Sequence, residues 1–283
     1  MIVFKTVQAV QNYVNEQKAK GLSIGFVPTM GALHAGHISL INKSVQETDI
    51  CICSIFVNPT QFNNITDLEK YPKTADADIK LLLEAGCHVL FMPPVDEMYP
   101  DGLLKNTEDF GLITTVLEGE KRPGHFDGVK TIVAKLFDIV KPDKTFFGQK
   151  DYQQVMVVGE LIKRHYSTIQ LCIEPTVRHE DGLAMSSRNV RLNKIQREEA
   201  TAISKALFYI QENWGLHTIE QLVQNALIII GANKSLQVEY FNIYNSETLE
   251  LLSGNSSAHL KAVILAAVFC GEVRLIDNWV IKP

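Results

Sequence analysis

The chain has 283 residues, room for two domains at about 150 residues each, and its 46% hydrophobic and 21% charged content excludes a disordered, collagen-like or fibrous protein. Lys and Arg number 27 against 32 Asp and Glu, so the net charge of −5 provides no overall basic field for nucleic acid or an anionic membrane. No apolar run reaches the roughly 18 residues of a membrane span, the first twenty residues lack an unbroken apolar core, and five scattered cysteines suggest no disulfide framework, which together predict a cytoplasmic protein.

In chain order, residues 6–20 carry Val7, Val10, Tyr13 and Val14 on one helical face and stop at Gly21. Residues 22–27 then read as a short apolar strand. Helical patterns at 36–47, 74–85, 128–140 and 151–164 alternate with extended ones at 50–57, 87–92, 145–147 and 168–173. Strands this apolar are covered on both faces, so the first 175 residues predict an α/β domain with a parallel sheet flanked by helices. Residues 176–283 read differently, with helices at 193–213 and 219–232 and strands at 237–244 and 262–270, the pattern of a smaller α+β domain.

Three familiar signatures fail on context. Gly21-Leu22-Ser23-Ile24-Gly25 has the spacing of a hydrolase nucleophile elbow, but that turn runs from strand to helix and this one runs from helix to strand. Gly31 and Gly36 have the spacing of a Walker loop, yet His37 and Ile38 occupy the places of its Lys and Ser or Thr. No Gly-x-Gly-x-x-Gly occurs, which removes the main support for ordinary dinucleotide binding.

The residues that remain are more informative. Pro28-Thr29-Met30-Gly31-Ala32-Leu33-His34-Ala35-Gly36-His37 leads from the first long strand into a helix, where an α/β sheet binds phosphates. A single histidine there would cap the helix or pack locally; two, flanked by glycines, mark a functional site. Zinc is the rival ligand, but helical zinc histidines are usually spaced by four with an acidic partner, and no carboxylate stands beside these. Phe146-Phe147-Gly148-Gln149-Lys150-Asp151 again joins a strand to a helix, so Lys150 either meets a phosphate or is a solvated lysine beside an N-capping Asp151. Met185-Ser186-Ser187-Arg188-Asn189 places two hydroxyls and a guanidinium in a polar segment that suits a triphosphate tail or merely links the domains. In Phe56-Val57-Asn58-Pro59-Thr60-Gln61-Phe62, Asn58 and Gln61 suit a small polar substrate; Asn-Pro is also a common turn, so Gln61 is the stronger candidate.

Taken with Arg122-Pro123-Gly124-His125-Phe126, Gln153-Gln154 and Arg274-Leu275-Ile276-Asp277-Asn278, these segments resemble the pantoate–β-alanine ligase family. The paired His34 and His37 and the Ser186-Ser187-Arg188 segment also resemble the two signatures of the wider superfamily of class I aminoacyl-tRNA synthetases and nucleotidyltransferases. The resemblance implies a homodimer with a Rossmann-like N-terminal domain, residues 1–175, and a smaller C-terminal domain, residues 176–283, closing over it. It implies an ATP- and Mg2+-dependent condensation of pantoate with β-alanine through a pantoyl-adenylate, giving pantothenate, AMP and pyrophosphate. By resemblance, His34 and His37 act on the triphosphate, with His37 as proton donor, and Lys150 and Arg188 hold the phosphates. Ser186 and Ser187 hold the tail and Asp151 the ribose, while Met30, Gly31, Gly148, Gln149, Val177 and Met185 line the nucleotide site. Gln61 and Gln154 grip pantoate, Asn58 and His125 join the substrate site, and residues 63–73 with the second domain shield the intermediate. A tRNA-charging module, which would share the paired histidines, is opposed by the net charge and the lack of a dense Lys/Arg stripe. A non-catalytic nucleotide-binding regulator would release no pyrophosphate.

Overall fold

A computed structural model describes residues 1–62, 68–69 and 71–282. It contains two compact units, Met1–Pro175 and Thr176–Pro283. In the first, six parallel strands lie in the order β1-β4-β3-β2-β5-β6: β1 (Ile2–Phe4), β2 (Ile24–Thr29), β3 (Ile50–Ile55), β4 (Val89–Phe91), β5 (Lys144–Gly148) and β6 (Gln170–Glu174). The sequence Ile-Cys-Ile-Cys-Ser-Ile of β3 is buried from Cys51 to Ile55, so it shows no in-out alternation; both of its faces are covered.

The connections are helical: α1 (Val7–Ala19), α2 (Ala35–Glu47), α3 (Ala75–Glu84), α4 (His125–Val140) and α5 (Tyr152–His165). Val129, Ile132, Val133, Leu136, Phe137 and Val140 recur along α4 at helical spacing and bury against the sheet with Phe26 and Phe91. Lys141 adopts a left-handed conformation (φ 44°) that ends α4 just before Pro142. Asp143 ties the starts of two strands to α1, accepting from Ile24 N (2.7 Å) and pairing with Lys18 Nζ (2.9 Å).

The second unit pairs β7 (Leu236–Asn245), β8 (Ala262–Cys270) and β9 (Val273–Val280) in antiparallel order, with α6 (Thr201–Glu212) and α7 (Ile219–Gly231) packed on the sheet. Two expectations change here. The helix expected over 193–213 is two pieces, Lys194–Glu199 and α6, separated at Ala200, and β9 is a strand that the sequence pattern does not announce. Among the described residues no helix is long and apolar enough to cross a membrane.

Candidate active site

β2 and β5 are neighbours, with Gly25 opposite Lys144 and Phe26 opposite Thr145, yet the chain leaves β2 toward β3 and leaves β5 toward β6. The strand order therefore reverses between them, and open α/β sheets bind ligands beyond the carboxyl ends of strands at such a reversal. The segment with His34 and His37 follows β2, and the segment with Lys150 and Asp151 follows β5.

The loop after β2 is held from both sides. Thr29 Oγ1 donates to the Ser54 carbonyl (2.8 Å) and accepts from Gly31 N (3.2 Å). Asp78 on α3, 2% exposed, accepts from Ala32 N (2.9 Å), Leu33 N (2.8 Å) and Thr74 Oγ1 (3.1 Å). Gly31 lies at φ +78°, where a Cβ would come 3.0 Å from Asp78 Oδ2 and 3.1 Å from Ile55 Cγ2, so glycine suits both the backbone and the space. Asp78 was not among the expected site residues. A carboxylate in the first turn of a helix ordinarily reads as a complement to the helix dipole.

His34 is the N-cap of α2 and His37 its third residue, and the two rings complete a capping box. His34 Nδ1 accepts from Gly36 N (3.2 Å), and His37 Nδ1 accepts from His34 N (3.3 Å). An Nδ1 that accepts from a backbone amide carries no proton, so the neutral ring carries its proton on Nε2. The rings are 4.1 Å apart between centroids. Burial, and then the nearby His34, lower the His37 pKa to about 3, with Asp151 opposing and Lys150 reinforcing the shift. The two histidines thus cap the helix, and His37 is in addition a neutral donor on which Lys150 and Asp151 of the segment after β5 act electrostatically. There Lys150 Nζ lies 3.5 Å from Asp151 Oδ1.

The amides divide by their hydrogen bonds. Asn58 is fully buried: its Nδ2 donates to the Gly128 carbonyl (3.1 Å), and its Oδ1 accepts from Tyr99 Oη (2.7 Å), Thr60 Oγ1 (3.1 Å) and Thr60 N (3.4 Å). Both ends of the Asn58 amide are engaged inside the protein, where it shapes the Pro59–Gln61 turn. Gln153 is likewise spent on the Ile113 and Val116 carbonyls (2.9 and 2.8 Å) and Glu118 N (3.1 Å). The side-chain amides of Gln61, 8% exposed, and Gln154, half-buried, form no hydrogen bond with the described residues. They remain available to a ligand.

His125 is buried at the start of α4, and its Nδ1 donates to the Gln61 carbonyl (2.9 Å), so it positions Gln61. The next turn of α4 closes on the same backbone. A Cβ on Gly128 would lie 2.4 Å from the Thr60 oxygen and 2.8 Å from Gln61 N. Burial first, and the Arg122 charge second, lower the His125 pKa to about 3, against weaker opposition from the Gln61 hydrogen bond, Glu118 and Asp151.

These shifts set a pH dependence. Unfolded histidine titrates near 6.5, so below that pH the unfolded chain binds protons that His37 and His125 refuse, and stability falls as the solution is acidified. At pH 5 each should cost about 2 kcal/mol relative to pH 7.5. Urea midpoints at the two pH values measure the total, and His125→Gln should lose distinctly less over the same interval. An equal loss in parent and variant would remove His125 as a source.

In the second unit, Met185 N donates to the Val177 carbonyl (3.0 Å), and Ser186 Oγ accepts from Arg188 N (3.2 Å) to start a short helix, Ser187–Arg191. Val177, Met185, Ser186, Ser187 and Arg188 are all half-buried, as are Met30, Gly148 and Gln149 in the first unit. Of the stretch expected to shield an intermediate, residues 63–67 and 70 lie outside the described residues.

Comparison with known proteins gives the family and the fold. Residues 2–280 match the family model described as "Pantoate-beta-alanine ligase". A "Pantothenate synthetase" of Porphyromonas gingivalis is 46% identical over 279 residues, covering 98% of each chain. The crystal structure of a pantothenate synthetase from Thermus thermophilus superposes with a TM-score of 0.93 at 37% identity, covering 100% of both chains. A pantoate-beta-alanine ligase from Francisella tularensis, solved in complex with "Beta-gamma ATP and Beta-alanine", gives 0.81 at 37% identity, covering 99% of this chain and 97% of that one.

Proposed function

The chain belongs to the pantoate-beta-alanine ligase family and is a ligase that uses ATP to condense pantoate with β-alanine; we propose that His34, His37 and Lys150 carry the first of its two steps. A carboxylate and an amine at neutral pH form a salt, so the carboxylate must first gain a leaving group. Attack of a pantoate carboxylate oxygen on the α-phosphorus breaks the bond to pyrophosphate and leaves pantoyl-adenylate. Attack of the β-alanine amine on the acyl carbon then expels AMP and gives pantothenate.

The observation that carries this reading is the capping histidine pair at the start of α2, beside the β2–β5 reversal, whose neutral His37 lies within the field of Lys150. Charge develops on the departing pyrophosphate, and donors fixed in advance stabilise it more in the transition state than in the ground state. A neutral ring with its proton on Nε2 gives a hydrogen bond without giving up the proton, so His37 acts as a hydrogen-bond donor and not as an imidazolium acid. Lys150 and Arg188 hold phosphate oxygens, Ser186 and Ser187 the triphosphate tail, and Asp151 the ribose. Gln61 and Gln154 grip pantoate, Gln61 being set in place by Asn58, Gly128 and His125. Met30, Gly31, Gly148, Gln149, Val177 and Met185 line the nucleotide.

Among the described residues no three or more His, Cys, Asp or Glu side chains are grouped to hold a metal ion. The family resemblance implies a Mg2+ that would arrive on ATP, since Mg2+ keeps its waters and binds chiefly through substrate phosphates. When bound it neutralises phosphate charge. Family resemblance further supports a cytoplasmic homodimer.

Activation before amine entry has a direct consequence. With pantoate and Mg2+ but no β-alanine, the enzyme should exchange labelled pyrophosphate into ATP, and omission of pantoate should abolish the exchange. Normal overall synthesis without pantoate-dependent exchange would contradict the two-step scheme.

A further inference from the structure

The Arg274-Leu275-Ile276-Asp277-Asn278 segment has no role in the chemistry above, yet the second unit buries its carboxylate against the chain that leads to Ser186. Asp277, on β9, holds Arg178 in a two-pronged pair, Nη1 to Oδ2 at 2.7 Å and Nη2 to Oδ1 at 2.9 Å, with side chains 12% and 3% exposed for Arg178 and Asp277. The same guanidinium donates to the Gly182 carbonyl (3.0 Å) and the Asn278 carbonyl (3.1 Å). The Phe208 and Trp279 rings each lie 5.4 Å from its central carbon. Four hydrogen bonds and two ring contacts leave this side chain one position.

What it grips is a small hairpin. Arg178 pairs with Ala184, His179 N donates to the Leu183 carbonyl (2.9 Å), and Met185 N donates to the Val177 carbonyl (3.0 Å). Asn189 Nδ2 returns to the Ala184 carbonyl (3.0 Å) from the far side of the Ser186–Arg188 turn. The position of Ser186, Ser187 and Arg188 is therefore set by a hairpin whose tip, at Gly182, is tied to β9. A buried ion pair adds little net stability over well-packed apolar residues, but its directional bonds fix geometry, and a lysine cannot reproduce the fork.

We propose that Arg178 and Asp277 are positioning residues that fix the Ser186–Arg188 turn for the β- and γ-phosphates of the nucleotide. The inference rests on the assignment of that turn to the triphosphate tail. AMP lacks those phosphates, so its binding serves as a control for folding and for the rest of the nucleotide site. Calorimetry with ATP and with AMP on the full chain should show Asp277→Asn weakening ATP binding by about tenfold or more while AMP affinity stays within about twofold, a loss in the range that small misplacements cause. Arg178→Lys, which keeps a charge opposite Asp277, should behave the same way and carries the test if Asp277→Asn does not fold.

Equal weakening for both nucleotides, or no change for either, would overturn the positioning role. Arg188→Ala separates the brace from the turn it holds. If it loses the preference for ATP while both brace variants keep it, the brace alone is wrong; if Arg188→Ala also keeps it, the turn does not hold the tail and the proposal falls with it.

Discussion

Lys150→Ala is expected to slow pantoate-dependent pyrophosphate exchange by about 10²- to 10³-fold, with Lys150→Arg retaining much more of the rate. Lys150 stands two residues beyond the end of β5, its side chain 18% exposed, and its charge acts on His37. The turn from β5 into α5 adds the positive end of a helix dipole, so a phosphate there meets charge and dipole together. Removing a charge-assisted contact from a transition-state phosphate costs about 3 to 4 kcal/mol, whereas arginine keeps the charge and changes only its shape. Stopped-flow or exchange kinetics on the two variants measures the difference. Near-parental rates for Lys150→Ala would make this lysine a surface charge and misplace the site.

The alternation of apolar runs made the parallel sheet legible in the sequence, because strands buried on both faces need no polar positions. The turn after β2 was legible too, since Gly31, His34, Gly36 and His37 follow directly on an apolar run and precede a helical pattern. Three features were not. The Asn-Pro turn already made Asn58 the weaker candidate beside Gln61, but only the hydrogen bonds show which groups, Tyr99, Thr60 and Gly128, engage its amide. Asp78 reaches the loop after β2 from 45 residues beyond Leu33, a distance at which no local pattern connects them. β9 hid because Arg274, Asp277 and Asn278 interrupt its apolar run, although Asp277 and Asn278 are 4% and 2% exposed. A buried carboxylate inside a strand is hard to anticipate without seeing Arg178, which lies in a distant stretch of the chain.

If the histidine pair acts on pyrophosphate as it leaves, the two half-reactions separate that role from every other. Pantoyl-adenylate has already lost its pyrophosphate, so a group that serves only the departing phosphates has no task in the second step. His37→Ala should therefore lower pyrophosphate exchange by about 10²-fold or more, within the range for lost transition-state donors. His37 also closes the capping box of α2, whose loss costs about 1 kcal/mol, so the thermal midpoint should drop modestly and both assays belong well below it. Supplied with synthetic pantoyl-adenylate, the folded variant is predicted to transfer the pantoyl group to β-alanine at close to the parental rate. Equal losses in both half-reactions would contradict the account and place His37 at the acyl carbon or in general positioning.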